Sequence, residues 1–169
     1  IKANHTATHL LHESLKQILG DHVQQAGSLL NEYKLRFDVT HYEKITKDQI
    51  TKIEDIVNDK IRQNIELSTN VENFEDAKND GAVALFGEKY GDKVRVVDIP
   101  GFSKELCGGT HVERTGDIGI LKITSESSLS TGIRRIEAIT GQEVVKKYQQ
   151  IDIIIEQTKN VLRTTEDKI

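Results

Sequence analysis

GDIGILKITSESSLSTGIRRIEAIT, residues 116–140, decides the fold class. Two runs rich in β-forming residues, GDIGILKITSESS and GIRRIEAIT, flank a polar turn, the signature of an antiparallel strand pair. Upstream, ANHTATHLLHESLKQILG (residues 3–20) has helical periodicity, with Ala7, Leu11, Leu15, Ile18 and Leu19 on one stripe. Asn4 is the expected N-cap and Gly20 the expected stop. Residues 23–40 read as a hairpin turning at NEYK. A second helix begins near Thr46, where Thr46 and Gln49 form a capping box and Ile45 and Ile50 a hydrophobic staple. ELSTNVEN reads as a strand, NFEDAKND as a short helix and the glycine-punctuated GAVALFGEKYGDKV as a loop over the body. VRVVDI is a strand stopped by Pro100, and GFSKELCGGTHV runs from strand into loop. Helix, two strands, helix and then several strands give an α+β fold, an antiparallel sheet packed on helices. From Gly141 the pattern changes to a long helix, with Val144, Tyr148, Ile151, Ile155, Thr158 and Leu162 forming a heptad seam. That seam suits either packing on its own domain or the first turns of a coiled coil through which chains self-associate. The expected division is a domain over residues 1–140 and a helical extension over 141–169.

The 169 residues suffice for one domain with a real core, and 36% hydrophobic with 30% charged residues is a globular composition. No apolar run approaches the roughly 20 residues of a membrane span, and no signal-peptide pattern opens the chain. One cysteine without a partner fits a reducing, cytoplasmic setting. A chain that starts at Ile1 and holds no Met reads as a piece of a longer protein. The net charge of −4 argues against a free-standing nucleic-acid binder, but not against a domain that handles only the end of a nucleic acid held elsewhere.

His5 and His9 lie four residues apart on the first helix, one above the other on one face. Helical zinc peptidases place Glu directly after the first histidine; Thr6 stands there instead, so the base for peptide hydrolysis is missing. Cys107 and His111 flank a Gly-Gly loop that can fold tightly enough to turn thiolate and imidazole toward one ion. One sulfur and three nitrogens suit tetrahedral Zn²⁺, and this reading is favoured. A buried free cysteine beside unrelated histidines, or a nucleophilic Cys107 activated by His111, are the alternatives. His12 is a rival ligand, read here as a group behind the ligands or a surface residue, and His22 and His41 have no assigned role.

HTATHLLH, HVQQAGSLLNEYKLRFD, ALFGEKYGD, ELCGGTHVERTGDIG and GIRRIEAITG, in this order through residue 141, resemble the editing domain of bacterial alanyl-tRNA synthetases. The same module is similar, more distantly, to free-standing alanyl editing proteins and to the threonyl-tRNA synthetase editing domain. The tail resembles the helix that leads to the synthetase C-terminal domain. The resemblance implies hydrolysis of tRNA(Ala) wrongly charged with serine or glycine. An alanine pocket cannot exclude smaller glycine sterically and rejects an added hydroxyl poorly, so a second sieve is needed. It implies zinc on His5, His9, Cys107 and His111, and a catalytic role for Gln25. An amide cannot act as a base but can orient water or an ester carbonyl; on the residues alone, Gln25 is an ordinary strand residue. Ser28 could meet a serine side chain. Arg134 is the expected contact for the tRNA 3′ end, Arg135 pairing with Glu137 or water; Lys89 and Lys122 are further phosphate contacts. The implied partners are the tRNA(Ala) 3′ end and the remaining synthetase domains. A zinc-stabilised tRNA-binding or linker module without chemistry is the competing reading.

Overall fold

A computed structural model describes residues 1–84 and 90–162. The order is α1 (Lys2–Leu19), β1 (Gln25–Leu30), β2 (Leu35–Thr40), α2 (Lys47–Arg62), β3 (Ser68–Asn73), α3 (Phe74–Asn79), β4 (Lys93–Ile99), β5 (Ser103–Leu106), a 3-10 turn (Thr115–Ile118), β6 (Leu121–Ser130), β7 (Ile133–Thr140) and α4 (Gln142–Leu162). The fold is α+β with antiparallel pairing throughout its named strands. The expected single sheet is two: a four-stranded β1-β2-β7-β6 and a three-stranded β3-β4-β5. The split is physical. The strands of the smaller sheet follow one another in sequence and pair locally, whereas β2 pairs with β7, bringing Phe37 beside Ile136.

The main core lies between the larger sheet and the first two helices. Leu10, Leu11 and Leu15 of α1, Ile53, Val57 and Ile61 of α2, Leu35, Phe37 and Val39 of β2, and Ile136 and Ala138 of β7 are all buried in it. The smaller sheet keeps its own cluster of Ala77, Ala82, Val94, Val96 and Leu106. Because α1 touches β5 as well as β1, β2, β7 and α2, it is buried on more than one face. Thr6, Thr8, His9, His12 and Ser14 join the apolar stripe inside.

Three local readings change or sharpen. Asn4 is not the N-cap: α1 starts at Lys2, and Asn4 is buried, donating Nδ2–H to Asn31 O (2.8 Å) and accepting from Thr140 Oγ1 (2.7 Å). A cap signal was overridden by tertiary partners. Gly20 does end the helix, at φ 113°, where a side chain would be strained. The capping box at α2 forms as expected, with Gln49 N–H donating to Thr46 Oγ1 and Thr46 N–H to Gln49 Oε1. Thr46→Ala should therefore cost about 1 kcal/mol, read as a lower urea midpoint at unchanged slope; an unchanged midpoint would remove the cap from the account.

Among the described residues of α4, Val144 in its first turn is the fully buried one, and the helix packs on β7. Tyr148, Ile151 and Leu162 of the heptad seam are exposed, so the helix leaves the body rather than lying along it. Among the described residues, no helix is long and apolar enough to cross a membrane.

Candidate metal centre

The first turns of α1 and the loop after β5 meet face to face. His5 Nε2 lies 3.4 Å from Cys107 Sγ, and so does His111 Nε2. The ring centroids of His5, His9 and His111 are 4.3–5.4 Å apart. One ligand atom from each of His5, His9, Cys107 and His111 can be chosen so that all lie within 4.8 Å of one another. The four residues expected to share an ion are together.

Each is held by identifiable partners. His9 Nδ1 lies 2.7 Å from Glu105 Oε2, and His12 Nδ1 lies 3.1 Å from Glu105 Oε1. An ionised carboxylate only accepts, so both Nδ1 atoms carry hydrogen. That leaves Nε2 of His9 buried with no partner among the described residues. His111 Nδ1 sits 3.2 Å from Thr6 Oγ1, which also accepts from Val112 N–H, and its Nε2 is thereby turned to the thiol. Arg95 of β4 donates to the carbonyls of Cys107 (2.8 Å) and Gly109 (2.5 Å), pinning the loop to the smaller sheet. Gly109 lies so close to His5 that a Cβ there would fall 1.9 Å from the ring.

The electrostatics follow. Burial pushes the Cys107 thiol up, but the hydrogen bonds with His111 and His5, with His9 close by, outweigh it and hold the group down at about 3. Cys107 is therefore a thiolate at neutral pH. Burial opposes charge on His9 and Glu105 alike; their mutual attraction overrides it, raising His9 and lowering Glu105. Burial lowers His111, and the neighbouring His9 and His5 push the same way.

This arrangement fits zinc. Zn–S near 2.3 Å and Zn–N near 2.0–2.1 Å at tetrahedral angles put sulfur and nitrogen about 3.6 Å apart, close to the observed 3.4 Å. The unpartnered His9 Nε2 supplies another donor, and Glu105 and Thr6 are the outer partners that set imidazole orientation in metal sites.

A cavity of about 70 Å³ adjoins the cluster, lined by His5, His9 and Cys107 together with Gln25 and Ser28 of β1. Residues three apart on a regular strand face opposite ways. A bulge between Gln25 and Gly27 inserts one residue, so Gln25 and Ser28 both border the cavity. Arg134 lies on β7 with its guanidinium on Glu126, largely buried. Arg135 does not pair with Glu137; it makes a two-pronged contact with Asp38 (2.8 and 2.9 Å), because Asp38 is its register partner on β2. Glu137 instead takes Lys34 and Ser125. Lys122 is bound to Glu54. Lys89 lies outside the described residues.

Sequence reasoning passed over Glu105, Arg95 and the positive role of Thr6. Only Glu105 left a signal: on an extended segment, a carboxylate two residues before Cys107 shares its side of the strand. His22 and His41 form a separate pair, Nε2 to Nδ1 at 2.8 Å, away from this site.

Residues 94–137 match the family described as "Threonyl and Alanyl tRNA synthetase second additional domain". An "Alanine--tRNA ligase" of Pseudoalteromonas translucida is 59% identical over 145 residues, 86% of this chain and 17% of the relative. Those of Fervidobacterium nodosum and Fusobacterium nucleatum subsp. nucleatum are 52% and 53% identical over 166 residues, 98% of this chain and 19% of each relative. The chain thus spans about a fifth of the length of these relatives.

Proposed function

Because this chain is a relative of the second-additional-domain segment of bacterial alanine–tRNA ligases, we propose that it is a hydrolytic editing domain that removes serine or glycine from wrongly charged tRNA(Ala). In these terms it is an aminoacyl-tRNA deacylase domain of an aminoacyl-tRNA synthetase, working in protein biosynthesis in the cytoplasm. Residues 1–140 are the editing domain, and residues 141–169 a helical extension toward further synthetase domains. The carrying observation is the shared cavity: His5, His9 and Cys107, three of the four clustered residues with zinc-ligand chemistry, and the polar strand residues Gln25 and Ser28 line one small space.

His5, His9, Cys107 and His111 would hold Zn²⁺. When bound, the ion supplies Lewis acidity toward a carbonyl or a water, or with all four ligands engaged braces the pocket. The rest falls to the protein. The small cavity admits the amino-acid end of the ester and excludes large side chains. The Gln25 amide orients the attacking water or the ester carbonyl, and Ser28 meets the hydroxyl of a misattached serine. Arg134, fixed by Glu126, offers its remaining N–H groups to the tRNA 3′ end. Self-association through the exposed seam of α4 belongs to the same proposal.

The test is single-turnover hydrolysis of seryl-tRNA(Ala) by the chain, with zinc quantified in the same sample. Hydrolysis that falls when zinc is chelated supports the reading; none by the zinc-loaded chain overturns it in favour of a binding module. Gln25→Ala should slow hydrolysis about tenfold, the loss of one well-placed hydrogen bond, with zinc content unchanged. An unchanged rate would remove Gln25 from the chemistry.

A further inference from the structure

Ester hydrolysis by water needs a proton acceptor, and Gln25 cannot be one, because an amide does not take a proton near neutral pH. Among the ligands, Nε2 of His5, His9 and His111 is turned toward the metal position. One further histidine stands at the cavity. His12 follows His9 by three residues on α1 and is 3% exposed. Its Nδ1–H is committed to Glu105 Oε1, which also accepts from Ser103 Oγ–H at 3.1 Å. The tautomer is thereby fixed, and the lone pair is on Nε2. That atom is buried and has no partner among the described residues. A buried acceptor without a donor is costly to keep, so each such atom calls for a reason. The edge of the His12 ring packs on Phe37, 5.4 Å between centroids, so its plane is set as well.

Its position supplies the reason. The cavity beside the metal cluster adjoins a second of about 160 Å³, lined among others by Lys16, Asp21 and Gln24. Among the described residues, His12 and Gln25 line both. A substrate end passing from one cavity into the other meets this pair.

We infer that His12 is the general base of the editing reaction, its Nε2 taking a proton from the water that Gln25 orients. The inference rests on the hydrolytic reading above. As the water oxygen bonds to the ester carbonyl carbon, one water proton moves to His12 Nε2. Glu105, on the opposite nitrogen, stabilises the imidazolium that forms. When the carbon–oxygen bond to the ribose breaks, His12 returns that proton to the departing ribose oxygen. The amino-acid carboxyl keeps the second water proton and loses it to solvent. His12 is thereby regenerated, and no other reactant is consumed.

Single-turnover hydrolysis of seryl-tRNA(Ala) is measured for the unsubstituted chain, His12→Gln and His12→Ala, with zinc per chain, substrate affinity and far-ultraviolet circular dichroism alongside. Gln retains an N–H for Glu105 but has no basic nitrogen. The expected result is a rate about 100-fold lower in both variants, in the range for loss of a positioned base. Zinc, helix content and substrate affinity stay within twofold of the unsubstituted chain. Added imidazole should restore His12→Ala at least fivefold, and not His12→Gln, whose side chain fills the space. Rates within threefold of the unsubstituted chain overturn the inference. So does a loss that tracks lost zinc or lost helix in both variants, or one that imidazole leaves untouched in His12→Ala. If the unsubstituted chain is active while His12→Gln is equally active, only the base assignment falls. If the unsubstituted zinc-loaded chain is inactive, the hydrolytic reading falls and this inference with it.

Discussion

Cys107→Ala is expected to abolish stoichiometric zinc binding and hydrolysis together. Cys107 contributes the sulfur to which two imidazole nitrogens point at 3.4 Å, and its charge is already present at neutral pH. Structural zinc sites bind with about 10–16 kcal/mol shared among four ligands. One ligand then corresponds to about 2.5–4 kcal/mol, and zinc affinity should fall on the order of 100-fold. The thiol serves as a hydrogen-bond partner and prospective ligand, not as structural filler, so the core should stay intact. The measurement is zinc per chain and its dissociation constant by competition with a chromophoric chelator, beside single-turnover hydrolysis. Full hydrolysis by a zinc-free variant would refute the metal proposal, and retained zinc would refute the ligand assignment.

Gly109→Ala should be nearly as severe, for a different reason. The backbone at Gly109 is not in the left-handed region, so strain is not the cause. A Cβ would sit 1.9 Å from His5 Cε1 and 2.5 Å from Nδ1, distances no real contact tolerates. The ring cannot retreat while keeping Nε2 on Cys107, and the loop cannot retreat because Arg95 holds the Cys107 and Gly109 carbonyls. His5 should leave the cluster, with zinc affinity falling at least tenfold and hydrolysis with it. Gly108→Ala is the control. A Cβ there meets nothing within 4 Å, so zinc and activity should be unchanged. Equal behaviour of the two variants would mean the packing of loop on ring is not what positions His5.

The helix over α1, the capping box at Thr46 and the two hairpins were legible because capping, turn chemistry and periodicity are local. The His5, His9, Cys107 and His111 set was readable as a candidate because soft-metal chemistry draws on few residue types, at spacings a helix or a tight loop can use. Thr6 was read only for the Glu it is not, yet its hydroxyl orients His111. Glu105 resembled any strand acid, and only the approach of α1 to β5 makes it the bridge between His9 and His12. The bulge that turns Gln25 and Ser28 toward one cavity was hinted at by Gly27 within a strand, but its register depends on pairing with β2. Asn4 carried a cap signal and went instead to Asn31 and Thr140, partners 27 and 136 residues away.

The division of the strands into two sheets has a mechanical meaning. His5 and His9 ride on α1, which is embedded in the larger core, whereas Cys107 is tethered through Arg95 to the smaller sheet with its separate cluster. The two sulfur–imidazole neighbours His5 and Cys107 are 102 residues apart in the chain. An ion bound between such distant points would act as a rivet across a long loop, the kind of cross-link that in the chain-entropy picture removes roughly 4–5 kcal/mol of freedom from the unfolded chain. The pocket is therefore assembled from elements of two sheets, and its dimensions are set where α1 meets the loop after β5.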